Sequence, residues 1–160
     1  CAAAAAARGA RVLADTYGKP LQTLLASRRG DEGRIEVCTP NADEAGILGP
    51  TPAAALMAMR AAGVTWPIVT CGAEGVRFLA EDGSLLVATG EVARVSITVG
   101  AGDAFLAGIA VALSRGDSSG QSLVAAGVAA ASAHVEGTPC DGLRERAETL
   151  RARVIVRRPA

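Results

Sequence analysis

A layered α/β domain, with a largely parallel sheet and an antiparallel edge, is predicted by three features of this 160-residue sequence. Short apolar runs rich in β-branched residues alternate with longer segments of helical spacing, the pattern of strand–helix–strand units. Gly, Pro and small polar residues stand at nearly every change of rhythm. Between Val76 and Val95 the helical segments drop out and three short apolar runs follow one another across tight turns, as antiparallel hairpins do.

The elements follow in order. Ala2–Ala7 reads as the end of a helix closing near Gly9, and Arg11–Thr16 as a strand ended by Tyr17-Gly18. Pro20–Arg28 is a helix with Leu21, Leu24 and Leu25 on its apolar stripe, followed by a polar loop over Gly30–Gly33. Arg34–Thr39 is a strand stopped by Pro40. Asn41 is a favoured N-cap type with Glu44 three residues on, so a helix begins there and runs toward Pro50. Thr51-Pro52 opens another helix to about Ala61, with Gly63 as its terminal signal. Trp66–Cys71 is a strand ending in Gly72-Ala-Glu-Gly75. Val76–Ala80, Leu85–Ala88 and Val92–Val95 are the close-spaced strands. Helices follow over Ala101–Ser114, apolar nearly all round, Gln121–Val135, alanine-rich, and Leu143–Arg151, before a last strand over Arg153–Arg157.

Composition narrows the function classes. The chain is long enough for one domain with a sizeable core, and half of its residues are hydrophobic. Its formal net charge is zero and aromatics make up 2%, so neither a phosphate-neutralising surface nor a base-stacking platform is indicated. Nothing points to a nucleic-acid or membrane partner. Cys1, Cys38, Cys71 and Cys140 are scattered without paired spacing, which supports neither a metal knot nor a disulfide framework and fits reduced thiols in a cytoplasmic protein. The chain opens on Cys1 and alanines rather than on a secretory leader, and a fragment of something longer is the expected reading.

The chemistry gathers at Val95–Ile109. An apolar β-branched run meets Gly100 and Gly102, and a helical pattern begins at once. Such a turn presents free helix N–H groups and the positive end of the dipole, which suit phosphate. Asp103 stands in that first turn. It reads either as ordinary dipole compensation or as a base taking a proton from an attacking hydroxyl. Since ligands of parallel sheets sit at the carboxyl ends of strands, Thr16, Asn41, Gly72 and Gly100 are expected on one rim. His134, the lone histidine, reads as a surface or capping side chain.

Three segments resemble the ribokinase/PfkB family of carbohydrate kinases, in the family's order: Thr39-Pro-Asn-Ala-Asp-Glu44, Val69-Thr-Cys-Gly-Ala-Glu-Gly75 and Thr98-Val-Gly-Ala-Gly-Asp-Ala-Phe-Leu-Ala-Gly108. The resemblance covers nearly all of this chain but only the C-terminal portion of such kinases. It implies a ribokinase-like α/β/α fold, with residues 1–160 as the catalytic, ATP-binding portion and the sugar-binding half and lid lying upstream. It implies Asp103 as the base, with the amides of Gly100, Ala101 and Gly102 as the hole for the transferring phosphoryl. Asn41 and Glu44 would lie near the ATP phosphates, Glu44 helping to order Mg²⁺ and its waters. Thr70, Gly72 and Gly75 would border the nucleotide, and the helix through Ala129 would flank the adenine. For Asn41 and Glu44 the plain alternative is a capping box; for the two glycines it is a simple turn.

Ile97 stands where many family members carry an acid of a monovalent-cation site, and this argues against K⁺ dependence. Together with Val99 and Pro40 it resembles the 1-phosphofructokinase/tagatose-6-phosphate kinase branch. The expectation is ATP-dependent phosphorylation of a sugar or sugar phosphate, with a homodimer as the assembly to test. A non-catalytic nucleotide-binding or structural domain, and a nucleoside or vitamin kinase, stand as alternatives.

Overall fold

The computed structural model describes residues 4–5, 8–26 and 35–159. The chain forms two compact units, Cys1–Gly72 with Arg77–Leu79, and Ala73–Val76 with Ala80–Ala160. The helix end expected over Ala2–Ala7 lies outside the described residues except for Ala4 and Ala5, and so does the loop expected over Gly30–Gly33.

The first unit is built on parallel strands β1 (Val12–Ala14), β2 (Ile35–Cys38) and β3 (Trp66–Thr70), with β4 (Val76–Leu79) next in order. In the register Leu13 faces Val37, Ala14 faces Cys38, and Val37 faces Trp66. Ile35, Val37, Cys38, Ile68 and Val69 are fully or almost fully buried. Such continuous burial is what a parallel strand covered on both faces requires, and it explains the unbroken apolar runs.

Helix α1 (Gly18–Ala26) buries Leu21; α2 is the short Ala42–Ala45. Helix α3 (Pro52–Ala61) buries Ala55, Leu56 and Met59 along one stripe. Its start is set by Thr51, whose hydroxyl accepts from the Ala54 N–H at 3.2 Å, with proline just inside the first turn. The helix expected to run from Asn41 to Pro50 is therefore corrected to a single turn. Gly46 caps it, its N–H donating to the Asp43 carbonyl at 3.2 Å.

The second unit carries β5 (Leu85–Thr89) antiparallel to β6 (Ile155–Arg157), with Val87 opposite Arg157 and Thr89 opposite Ile155. Its helices are α4 (Ala101–Ser114), α5 (Gly120–Val135) and α6 (Leu143–Arg151). Helix α5 is the buried one, with ten buried residues, while α4 leaves Ala107, Ala110 and Val111 exposed. The expectation of an α4 buried all round is thus corrected: its outward apolar positions are mostly alanine, which costs little in water. The α4–α5 approach is close because a Cβ on Gly108 would lie 2.6 Å from the Ala126 carbonyl and one on Gly127 2.7 Å from the Phe105 ring. Leu150 of α6 is buried with Ala129 and Ala133 of α5.

The strand expected at Val92–Val95 does not form, and residues 90–98 are irregular, with Val95 72% and Ile97 45% exposed. Three of their amides are committed elsewhere. The Ser96 and Ile97 N–H groups both donate to the Val135 carbonyl, at 2.8 and 3.2 Å, and the Ala93 N–H donates to Glu136 Oε1 at 2.9 Å. The otherwise unpartnered end of α5 satisfies this segment, so no strand partner is needed.

Candidate active site

In the first unit the parallel strands β1, β2 and β3 end at one edge, and the chain leaves them through Thr16, Asn41 and Gly72. The Thr70 N–H donates to the Pro40 carbonyl at 3.1 Å, and Thr70 and Asn41 form an isolated parallel bridge. This extends the sheet by one rung and fixes where Asn41 emerges. There the sequence folds into a reciprocal cap. The Glu44 N–H donates to Asn41 Oδ1 and the Asn41 N–H to Glu44 Oε2, both at 2.9 Å.

The capping reading of Asn41 and Glu44 is therefore realised, and it leaves Glu44 Oε1 without a hydrogen bond among the described residues. Among the described residues no group of three or more His, Cys, Asp or Glu is placed to hold a metal. A lone half-free carboxylate fits Mg²⁺ as a partner of its water shell, since that ion keeps several waters and takes only one or two carboxylates. Beside Asn41, the Thr39 hydroxyl is buried and has no hydrogen-bond partner among the described residues.

Gly72 opens a 3₁₀ turn, Gly72–Glu74, with φ +55° and open space where a Cβ would stand. Gly75 is different. Its φ is +86°, and a Cβ there would meet the Ala88 carbonyl oxygen at 2.3 Å. In this structure Gly75 is required by the backbone of β5, whatever lies beyond it.

In the second unit the turn at Gly100–Asp103 leads straight into α4, but of the three amides expected to face a phosphoryl group, that of Ala101 is already engaged. Gly100 is the N-cap of α4 at φ 85°, a left-handed conformation that glycine adopts without steric cost. The N–H groups of Gly100, Gly102 and Asp103 have no hydrogen-bond partner among the described residues, while that of Ala101 donates to the Thr98 carbonyl at 3.2 Å. Three open amides at the positive end of a 14-residue helix favour an anion. The Asp103 side chain is exposed and forms no hydrogen bond or ion pair among the described residues.

Sequence reasoning missed one contact here. His134 Nε2 lies 2.7 Å from the Val99 carbonyl oxygen, bridging a separation of 35 residues. The ring also stands 3.2 Å from where a Cβ on Gly100 would be. No local pattern carries such a contact, and a lone histidine in an alanine helix gives no sign of it.

Comparison with known proteins decides the family. The sequence profile of the pfkB family carbohydrate kinases matches residues 2–144. This chain belongs to the pfkB family. It is 36% identical over 121 residues to a 1-phosphofructokinase from Xanthomonas campestris pv. campestris, an alignment covering 69% of this chain and 36% of that one. Among solved structures it is similar to a tetrameric inhibited form of phosphofructokinase-2 from Escherichia coli, at TM-score 0.75 and 26% identity, covering 94% of this chain and 49% of that one. It is also similar to an Arabidopsis thaliana ribokinase complexed with ribose and ATP, at TM-score 0.71 and 25% identity, covering 94% and 50%. The chain spans about half the length of these solved relatives and about a third of the curated one.

Elsewhere in this pfkB chain, two ionisable groups are strongly shaped by their surroundings. Glu136 accepts from Arg146 through both carboxylate oxygens, at 2.7 and 3.1 Å, and its side chain is 9% exposed. The Arg146 guanidinium, and then the Ala93 N–H, hold its carboxyl below the usual 4.5. Burial pushes the Cys38 thiol up to about 12, with Asp15 adding to the effect, so it stays protonated and chemically quiet.

Proposed function

We propose that this chain is the nucleotide-side, catalytic portion of a kinase that transfers the terminal phosphoryl of ATP to a hydroxyl of a sugar phosphate, with 1-phosphofructokinase-like activity. The observation that carries the reading is the Gly100–Asp103 turn: open amides on a helix N-terminus beside an exposed carboxylate that nothing else among the described residues engages. The Xanthomonas relative supports the sugar-phosphate class.

In the reaction the hydroxyl oxygen forms the new bond to phosphorus as the bond to the bridging oxygen of ADP breaks. The Asp103 carboxylate takes the hydroxyl proton. The Gly100 and Gly102 amides stabilise charge on the phosphoryl oxygens, where a preorganised donor is worth most. Ala101 adds its amide only if its bond to Thr98 is given up. Mg²⁺, when bound, would neutralise phosphate charge, and Glu44 Oε1 would hold one of its waters. Asn41 fixes Glu44 for that task, and Thr70, Gly72 and Gly75 are proposed as the nucleotide border. The sugar site and the elements that exclude water are assigned to the part of such kinases outside this chain.

A homodimer in the cytoplasm is proposed as the working form. No helix among the described residues is long and apolar enough to cross a membrane. The test is ADP release from ATP·Mg²⁺ with fructose 1-phosphate, fructose 6-phosphate, tagatose 6-phosphate and ribose, using the full natural protein and Asp103→Asn as control. Sugar-dependent release that vanishes in the variant is the expected result. No release from the folded protein with any acceptor would return the chain to a nucleotide-binding role.

A further inference from the structure

We infer that His134 is a positioning residue that aims the Gly100 amide by clamping the carbonyl of the same peptide group. The inference rests on the kinase reading of the Gly100–Asp103 turn and adds a residue to it.

The segment before α4 has no strand partner among the described residues, and the C-terminal turn of α5 holds it. The Ala93, Ser96 and Ile97 amides all donate to that turn. One bond runs the other way. The Val99 carbonyl accepts from His134 Nε2 at 2.7 Å. A carbonyl can only accept, so Nε2 carries the proton in this contact.

The peptide plane explains why this matters. The Val99 C=O and the Gly100 N–H belong to one rigid planar group and point in opposite directions. Fixing the oxygen therefore fixes the direction of the amide. Few other forces would do so. Gly100 sits at φ 85°, and glycine accepts either sign of φ at similar cost, so this peptide can rotate with little steric resistance. Val99 is 81% exposed, so its packing does little to oppose rotation.

The imidazole supplies that resistance twice. It bonds the oxygen, and its Nε2 and Cε1 atoms would lie 3.2 and 3.4 Å from a Cβ on Gly100, so the ring rests against the glycine. A carbonyl that accepts a hydrogen bond also polarises its own peptide group and strengthens the N–H as a donor. Glu136 steadies the same helix end through Arg146 and through the Ala93 amide.

The experiment compares wild type, His134→Leu and His134→Gln in the full natural protein. Leucine keeps the bulk and removes the donor; glutamine restores an N–H at similar reach. Each variant is checked for folding by its melting temperature. The expected result for His134→Leu is a kcat loss of about tenfold to a hundredfold, the scale of a misaimed catalytic donor, with KM for ATP and sugar phosphate within about threefold. His134→Gln is expected to recover most of the loss. In nitrogen–proton correlation spectra the Gly100 amide should shift in the leucine variant and return in the glutamine one.

A leucine variant within about twofold of wild-type kcat, or a folded glutamine variant no better than leucine, would overturn the inference. If the folded wild type releases no ADP with any of the acceptors, the kinase reading fails instead. The Gly100 resonance then decides the clamp alone, an unmoved amide in His134→Leu overturning it and a shift reversed by glutamine supporting it.

Discussion

Asp103 and Gly75 are each defined by what surrounds them, and each yields a residue-scale prediction. Asp103 is exposed and without a hydrogen-bond or ion-pair partner among the described residues, so replacing it disturbs no contact. Asp103→Asn is therefore expected to lower kcat by about 10²–10⁴, the usual worth of a positioned base, while ATP affinity stays within about threefold. Single-turnover rates and a nucleotide titration measure the two quantities. Unchanged turnover would remove the base assignment. Gly75 makes the opposite case, because its φ of +86° and the 2.3 Å approach of the Ala88 oxygen leave no room for a methyl group. Left-handed strain and overpacking together predict a loss of about 2–4 kcal/mol for Gly75→Ala, read from a denaturant titration. A variant as stable as wild type would show that β5 moves aside and that the glycine serves something other than this backbone.

At the scale of elements, the α2 cap separates a structural from a catalytic role for Glu44. Glutamine can accept from the Asn41 N–H as the carboxylate does, so Glu44→Gln should keep the cap and change stability by less than about 0.5 kcal/mol. If Glu44 orders the water shell of Mg²⁺, the same variant raises the Mg²⁺ concentration needed for half-maximal activity. An unchanged Mg²⁺ requirement would leave Glu44 as a cap alone. This cap, the start of α3 at Thr51-Pro52 and the turn into α4 were legible in the sequence because each is specified within four residues by its own side chains or glycines. The irregular course of residues 90–98 was not legible. Val92–Val95 has the composition of a strand, but strand preference reports a buried, paired surface, and here the end of α5 takes the amides instead. The exposed face of α4 was hidden for a related reason: alanine is apolar by count yet tolerates water. The bond from His134 to Val99 was not legible because it depends on how α5 is placed against the turn, which no local spacing encodes.

For the molecule as a whole, the second unit predicts a particular response to acid. Three carboxylates there that pair with arginines are held below their ordinary values. Glu136 lies below 4.5, first through its hydrogen bonds from Arg146. Asp117 lies below 3.8, first through Arg151, and Glu148 below 4.5, first through Arg115. Each partner arginine lies on α6, except Arg115, which follows α4 and reaches across to Glu148 on α6. These pairs therefore tie α6 to the ends of α4 and α5. A lowered folded value means that the folded state favours the charged form. The stabilisation is fully present above the unfolded value and is lost as pH falls through the folded one. Melting temperature should accordingly hold from neutral pH down to about 5 and then fall steeply. Glu136 is the least exposed of the three and also takes the Ala93 amide, so it should carry a clear share of the slope. Glu136→Gln is expected to melt lower than wild type at neutral pH, with the two curves converging as the wild-type carboxylate is protonated. Added salt should narrow the gap at neutral pH, since part of each pair faces solvent. Parallel curves down to acid pH would mean that Glu136 acts through hydrogen bonds indifferent to its charge. The bond to the Ala93 amide would then be the contact that matters, and that amide begins the segment leading into Gly100.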